Sequence, residues 1–294
     1  MGHETMMIMT RRLTFSAALA DWNSALSHDD NETIFGANAS PEPYGHNYLL
    51  DVSVKGRIDP RTGILVNIKE IDRLVKEKVI QILDRKFINR QVPAFYESPV
   101  TAETLTEFIA ETLVDKLPPA VTLSGLRLEE TPTHSVIWNA PETGQISSRK
   151  VNGAMLLTRV YEFSASHRLD SPHLSPAENQ ELFGKCNYEN GHGHNYQLEV
   201  TVAGPVAPQS GRVIAEEALD SIVNSEVVNR YDHHHLNLDI PEFRERIPSA
   251  EIITKVIWER LVGHIPAPVR LHKVLVRETA RNIFEYYGED EDVQ

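Results

Sequence analysis

The sequence predicts an α+β protein made of two tandem units, each a four-stranded antiparallel sheet with two helices on one face. Three observations predict it. The 294 residues are about twice the usual domain length. Shifting the sequence against itself by the distance from Phe15 to Phe163 brings clustered identities into one register. Each half then repeats one order of patterns: two extended segments, two amphipathic helices and a strand pair.

In that register Phe15-Ser16-Ala17 falls on Phe163-Ser164-Ala165, Phe35-Gly36 on Phe183-Gly184, and Gly45-His46-Asn47-Tyr48 on Gly193-His194-Asn195-Tyr196. It continues without a gap through Gly63 on Gly211, Asp84 on Asp232, Asn89 on Asn237, Ala102-Glu103 on Ala250-Glu251 and Glu130-Thr131 on Glu278-Thr279. Chance supplies scattered matches, not clusters in one register, so the chain reads as a tandem duplication over 8–140 and 153–290.

The elements follow in order. Extended segments around Leu13–Ala17 and Tyr48–Lys55 open the first copy, as Val160–His167 and Tyr196–Val202 open the second. Apolar spacing predicts helices near Ile68–Leu83 and Val213–Asn229, then Thr101–Leu117 and Ser249–His264. A final strand pair carries Glu130 or Glu278, and the polar stretch Asn139–Asn152 reads as the linker.

Composition narrows the function. Hydrophobic residues at 41% and charged residues at 24% suit an ordinary globular protein. A net charge of −13 argues against nucleic acid or an anionic membrane as the main partner, but not against a small anionic substrate. The lone Cys186 forbids an intrachain disulfide and suits a reducing compartment. No signal-like or membrane-length apolar run is present, so the expected location is cytoplasmic.

Chemistry gathers in the second copy. His192 and His194 flank Gly193 at the start of a strand, where alternate side chains share a face, and His167 ends the preceding strand. Three imidazoles without an obvious fourth ligand describe a catalytic zinc with an open position. A His-x-His pair alone is more often an ordinary surface or core feature. The first copy, however, carries Leu19 and Tyr44 at the places of His167 and His192 and keeps only His46. Cys186 is replaced by Asn38 and His233 by Arg85, while Asp232 persists as Asp84. A buried apolar residue is the ordinary reading of a lone cysteine. Its loss together with the imidazoles instead favours a functional thiol, since a thiol near a metal exchanges protons near neutral pH.

Glu251 and Glu278 persist in both copies as Glu103 and Glu130. A carboxylate matches the paired N–H donors of a pterin or guanine-like edge; the competing reading is a structural pair with Arg277 or Arg281. The run His233-His234-His235 leaves His234 and His235 as a solvated loop or an incidental metal site.

Phe163–Leu169 (FSASHRL), Phe183–Cys186 (FGKC), Gly191–Tyr196 (GHGHNY), Asp232-His233 and Glu278-Thr279, in this order and spacing, resemble 6-pyruvoyl tetrahydropterin synthase over 153–290, and more weakly over 8–140. The resemblance implies the tunnelling fold, whose units join edge to edge into a barrel with sites between neighbours. It implies zinc, one per chain, on His167, His192 and His194, with magnesium commonly assisting. It implies a triad of Cys186, Asp232 and His233, a pterin anchor in Glu278, and Glu251 as a second pocket glutamate. The family converts 7,8-dihydroneopterin triphosphate to 6-pyruvoyl tetrahydropterin with loss of triphosphate. Arg168 and Lys185, next to the ligands and thiol in sequence, are candidate triphosphate contacts. Ser249-Ala250 departs from the family's two threonines, which puts one hydrogen bond to the pterin in question. The thiol and the Asp-His pair come from adjacent units in this family. Retention of both in one copy therefore predicts a trimer-based homo-oligomer with one barrel of second copies and one of first copies.

Two rivals stay open. One is 6-carboxytetrahydropterin synthase of the queuosine pathway; the five residues between Cys186 and His192 look like the pyruvoyl-forming type. The other is a non-catalytic pterin- or purine-binding zinc protein, against which the complete Cys-Asp-His set argues. A generic zinc hydrolase would show a water-activating Glu in a motif such as H-E-x-x-H, and none stands here.

Overall fold

A computed structural model describes residues 6–141 and 154–289. Most of the linker expected at Asn139–Asn152 lies outside the described residues. The described residues divide into two compact units, 6–141 with 154–157 and 203–215, and 158–202 with 216–289.

In the first unit β1 (Met6–Leu19) pairs antiparallel with β2 (Tyr44–Arg57). Between them lies α1 (His28–Phe35), capped by the Ser27 side chain on the Asp30 N–H. Along β1, Leu13, Phe15, Ala17 and Leu19 are buried while their neighbours are not, the period of a sheet with one face in the core. Phe15 pairs with Tyr48 in register and their rings stack at 4.8 Å. The helix α2 (Ile68–Val75) starts at an Asn67 cap and continues through a π-helical turn, Lys76–Ile80, to Leu83. Next comes α3 (Ala102–Val114), closed by a Thr101–Thr104 capping box. The sheet is completed by β3 (Val121–Thr131) and β4 (His134–Asn139), antiparallel in the order β1-β2-β3-β4.

The second copy repeats the plan. Its strands and helices are β5 (Ala154–His167), α4 (Pro176–Phe183), β6 (His192–Gly204) and α5 (Glu216–Val223), the last again running into a π turn, Asn224–Val228. After β7 (His234–His235) come α6 (Ala250–Leu261), β8 (Arg270–Arg277) and β9 (Ile283–Tyr286). The order is β5-β6-β8-β9, with β8 and β9 antiparallel. The Phe163–Tyr196 stack at 5.0 Å matches its first-unit twin.

Three differences from the expected elements have physical causes. The helices α1 and α4 are too short to show apolar periodicity and are fixed by caps; Ser175 and Glu178 form a capping box with Pro176 at the first position. The second-copy helix starts at Glu216, not Val213, at the register position where α2 starts with Ile68, and the Val213 N–H before it donates to Glu103 Oε1 at 3.0 Å. His234 and His235 are not merely a solvated loop: they form β7, parallel to Ala165 and Ser166.

Candidate active site

The β5–β6 hairpin carries the site. His167 ends β5, and His192 and His194 open β6 two residues apart. Their ring centroids lie 4.6, 5.2 and 4.9 Å from one another. One ligand atom from each lies within 4.8 Å of the other two. The Nε2 atoms of His167 and His192 are 3.2 Å apart. Two tetrahedral ligands held at about 2.0–2.1 Å from zinc are separated by about 3.4 Å, so this spacing fits the metal.

Protonation also fits. The Nδ1 of His167 lies 2.7 Å from the Pro248 carbonyl, an acceptor only, so Nδ1 carries the proton and Nε2 presents a lone pair. Burial foremost, with the neighbouring imidazoles, pushes the pKa of His167 below its ordinary value despite that hydrogen bond. Burial and His194 do the same for His192. Neutral imidazole is the form that binds metal. The Nε2 of His194 is buried without a hydrogen-bond partner, a cost that a bound cation removes.

Glu278 sits beside the trio, Oε1 at 3.7 Å from His167 Nε2 and 3.8 Å from His194 Nε2, while Oε2 accepts the Asn282 amide at 3.0 Å. Arg277 turns instead to Glu199, at 2.9 Å, which disfavours the competing reading of Glu278 as its structural partner. Asp232 accepts the Ser164 N–H at 2.8 Å with Oδ1 and holds His233 Nδ1 at 2.8 Å with Oδ2. The first of these bonds, then the second, lowers its pKa. His233 takes a left-handed backbone, φ 60°, and its N–H donates to the Ser164 carbonyl. It lines an open cavity of about 660 Å³ with Ser166, His194, Asn195 and Asp239.

Cys186 lies half-buried in the turn Gly184–Asn187, outside the lining of that cavity. Its carbonyl accepts the Leu169 N–H, which ties the turn to the residues after His167. Arg168 spends its guanidinium on the Asn187 carbonyl and Asp170, bracing the same turn. Lys185 is exposed beside Cys186. Ser249 caps α6 by accepting the Ile252 N–H, and Glu251 is exposed in the first turn of that helix.

Three contributors were not singled out from sequence. The Pro248 carbonyl has no residue-type signature. Asn282 could have been found as the register twin of His134, which binds Glu130 Oε2 at 2.9 Å. Gly191 takes φ 67°, and a Cβ there would lie 2.5 Å from the His167 carbonyl, so only glycine lets His192 approach His167.

The first unit keeps the frame without the metal set. Leu19 is buried, and Tyr44 donates its hydroxyl to Asp21 at 2.7 Å. Glu130 accepts from Tyr48 at 3.1 Å and lies 3.5 Å from His46 Nε2.

A family model described as 6-pyruvoyl tetrahydropterin synthase matches residues 9–141 and again 156–289. A human 6-pyruvoyl tetrahydrobiopterin synthase is 43% identical over 133 residues, covering 45% of this chain and 91% of the relative. A Bacillus subtilis 6-carboxy-5,6,7,8-tetrahydropterin synthase is 28% identical over 136 residues, covering 43% and 84%. Among solved structures, Caenorhabditis elegans 6-pyruvoyl tetrahydropterin synthase matches at 41% identity and a TM-score of 0.45, covering 46% of this chain and 96% of that one.

Proposed function

We propose that this chain, which belongs to the 6-pyruvoyl tetrahydropterin synthase family, is a zinc-dependent lyase that converts 7,8-dihydroneopterin triphosphate to 6-pyruvoyl tetrahydropterin with loss of triphosphate. The observation that carries the reading is the convergence of three imidazoles, within metal-ligand spacing of one another, beside Glu278 in the second copy. His167, His192 and His194 would hold the metal, one ion per chain, and the zinc would acidify the protons of the substrate's side chain.

The remaining steps belong to the chain. Glu278, steadied by Asn282, presents a carboxylate oxygen for the paired N–H donors of the pterin ring. Glu251 forms a second wall of the pocket, with Ser249 fixing the helix that carries it. Cys186 takes a proton as thiolate, and His233, oriented by Asp232, returns or removes one elsewhere. Lys185 is the better placed of the two candidate triphosphate contacts, since Arg168 is already committed to the Cys186 turn. Magnesium would assist by neutralising the triphosphate.

Incubation of the zinc-loaded protein with 7,8-dihydroneopterin triphosphate should yield the pyruvoyl product and free triphosphate. A carboxy product instead would favour the reading supported by the Bacillus subtilis relative. His194→Ala should release the single metal equivalent by elemental analysis, while His46→Ala should leave it bound. Unchanged metal content in His194→Ala would end the zinc assignment.

A further inference from the structure

Apart from the proposed metal site, the first unit holds a cavity of about 210 Å³. Its walls are Ala20, Trp22, Pro41, Phe87 and Phe95, with Arg90 beside them. Two of the walls are themselves braced: Phe95 meets Phe108 edge-on at 5.4 Å, and Trp22 lies against His28 at 5.4 Å. A space of this size between apolar walls accepts a small ring, as a cavity of about 150 Å³ accepts benzene.

The second copy keeps the frame around this place and changes the lining. Asn89 accepts the Ala20 N–H at 2.9 Å and donates to the Ala20 carbonyl at 3.1 Å; Asn237 does the same for Arg168, at 2.8 and 2.9 Å. Around that shared clamp, Ala20, Trp22, Pro41 and Phe87 stand where the second copy has Arg168, Asp170, Glu189 and His235. Arg168 reaches Asp170 at 3.2 Å, so a guanidinium and a carboxylate join the two places that alanine and tryptophan hold here. All four exchanges run from polar to apolar, and together they turn a charged corner into an aromatic one.

One polar group at the cavity is still available. Ser24 donates its hydroxyl to the Tyr96 carbonyl, and Asn89 is engaged with Ala20 and with the Trp22 carbonyl. Arg90 differs: its guanidinium lies over the Phe87 ring, 5.1 Å from the centroid, and makes no hydrogen bond or ion pair among the described residues. A planar guanidinium matches a carboxylate with two parallel N–H donors. The local charge also favours an anion. Arg85, Lys86 and Arg90 stand where the second copy has His233, His234 and Leu238, while Asp84 and Asp232 correspond. Phe87 lines both this cavity and the open one that holds Arg85 and Lys86.

We propose that this cavity binds a planar aromatic carboxylate, with its ring among Trp22, Phe87 and Phe95 and its carboxylate on Arg90. The ring gains contact with three aromatic faces or edges, which adds to the burial of its own surface. The carboxylate selects among rings, because a neutral molecule of the same shape leaves the guanidinium to water. The site belongs to the first copy and does not rest on the lyase reading of the second.

Calorimetric titration of the full chain with 2-naphthoate should find one site per chain, and the neutral isostere 2-naphthamide should bind it about tenfold more weakly. Arg90→Gln should cost the carboxylate about tenfold and leave the amide unchanged. Ala20→Arg and Trp22→Asp install the second copy's residues, and each should abolish binding of both molecules with unchanged circular dichroism. Trp22 is only half-buried, so its variant keeps the test open if a buried arginine at position 20 prevents folding. Absence of saturable binding, equal affinity for the two molecules, or binding that survives Trp22→Asp overturns the proposal. None of these readings depends on turnover, so the lyase assay succeeds or fails on its own.

Discussion

At the scale of single residues, the second copy gathers its chemistry by residue type and the first copy retains the frame without it. Cys186→Ala should keep the metal and the fold but lower turnover by roughly 10²–10⁴, the range a positioned acid–base group contributes; stopped-flow or steady-state product formation reads the loss. Glu130 shows what the retained carboxylate does in the first copy. Burial opposes its charge, but the His134 hydrogen bond and charge, with His46 and Tyr48, hold its pKa below the ordinary 4.5. A depressed carboxyl pKa contributes stability above the unfolded value, and that stability is lost as pH falls through and below it. Glu130→Gln should therefore melt lower than the parent at pH 7 and converge with it in acid, as thermal scans across pH would register.

At the scale of elements, two turns are held by glycine for different reasons. Gly191 lets β6 begin against the end of β5 with His192 facing His167. Gly191→Ala should push the His167 carbonyl away and weaken metal binding by roughly 10–100-fold, as loss of ligand orientation does; competition with a metal chelator measures it. Gly211 is pressed on Pro99 and Thr104, whereas Gly63 faces open space at the same φ. Alanine at Gly211 therefore incurs both the left-handed backbone cost, about 1–2 kcal/mol, and a clash. In the isolated chain Gly211→Ala should lower the melting temperature more than Gly63→Ala. The hairpin and the long helices were legible from alternation and apolar spacing. The eight-residue helices α1 and α4 were not, since caps rather than a stripe specify them.

At the scale of the molecule, the two copies differ in which equivalent side chains they bury. Asp21–Arg212 is buried, and Arg212→Ala would leave Asp21 its Tyr44 hydroxyl but not its ion pair, a loss of stability readable in chemical denaturation. The first-copy carboxylates Glu103 and Glu130 already accept protein donors. Titration calorimetry with a pterin should accordingly find one site per chain and not two. No helix among the described residues is long and apolar enough to cross a membrane.

The sequence by itself determined the duplication and the α+β class and marked His167, His192 and His194, because identities at a fixed offset and residues replaced as a group are properties of residue type and order. Only the tertiary structure decided that Pro248 sets the His167 tautomer, that Arg277 serves Glu199, and that the Val213 N–H donates to Glu103. Those are choices of backbone carbonyls, competing carboxylates and long-range partners. Local pattern carries no record of them, since each depends on which groups distant in sequence the fold brings within hydrogen-bond reach.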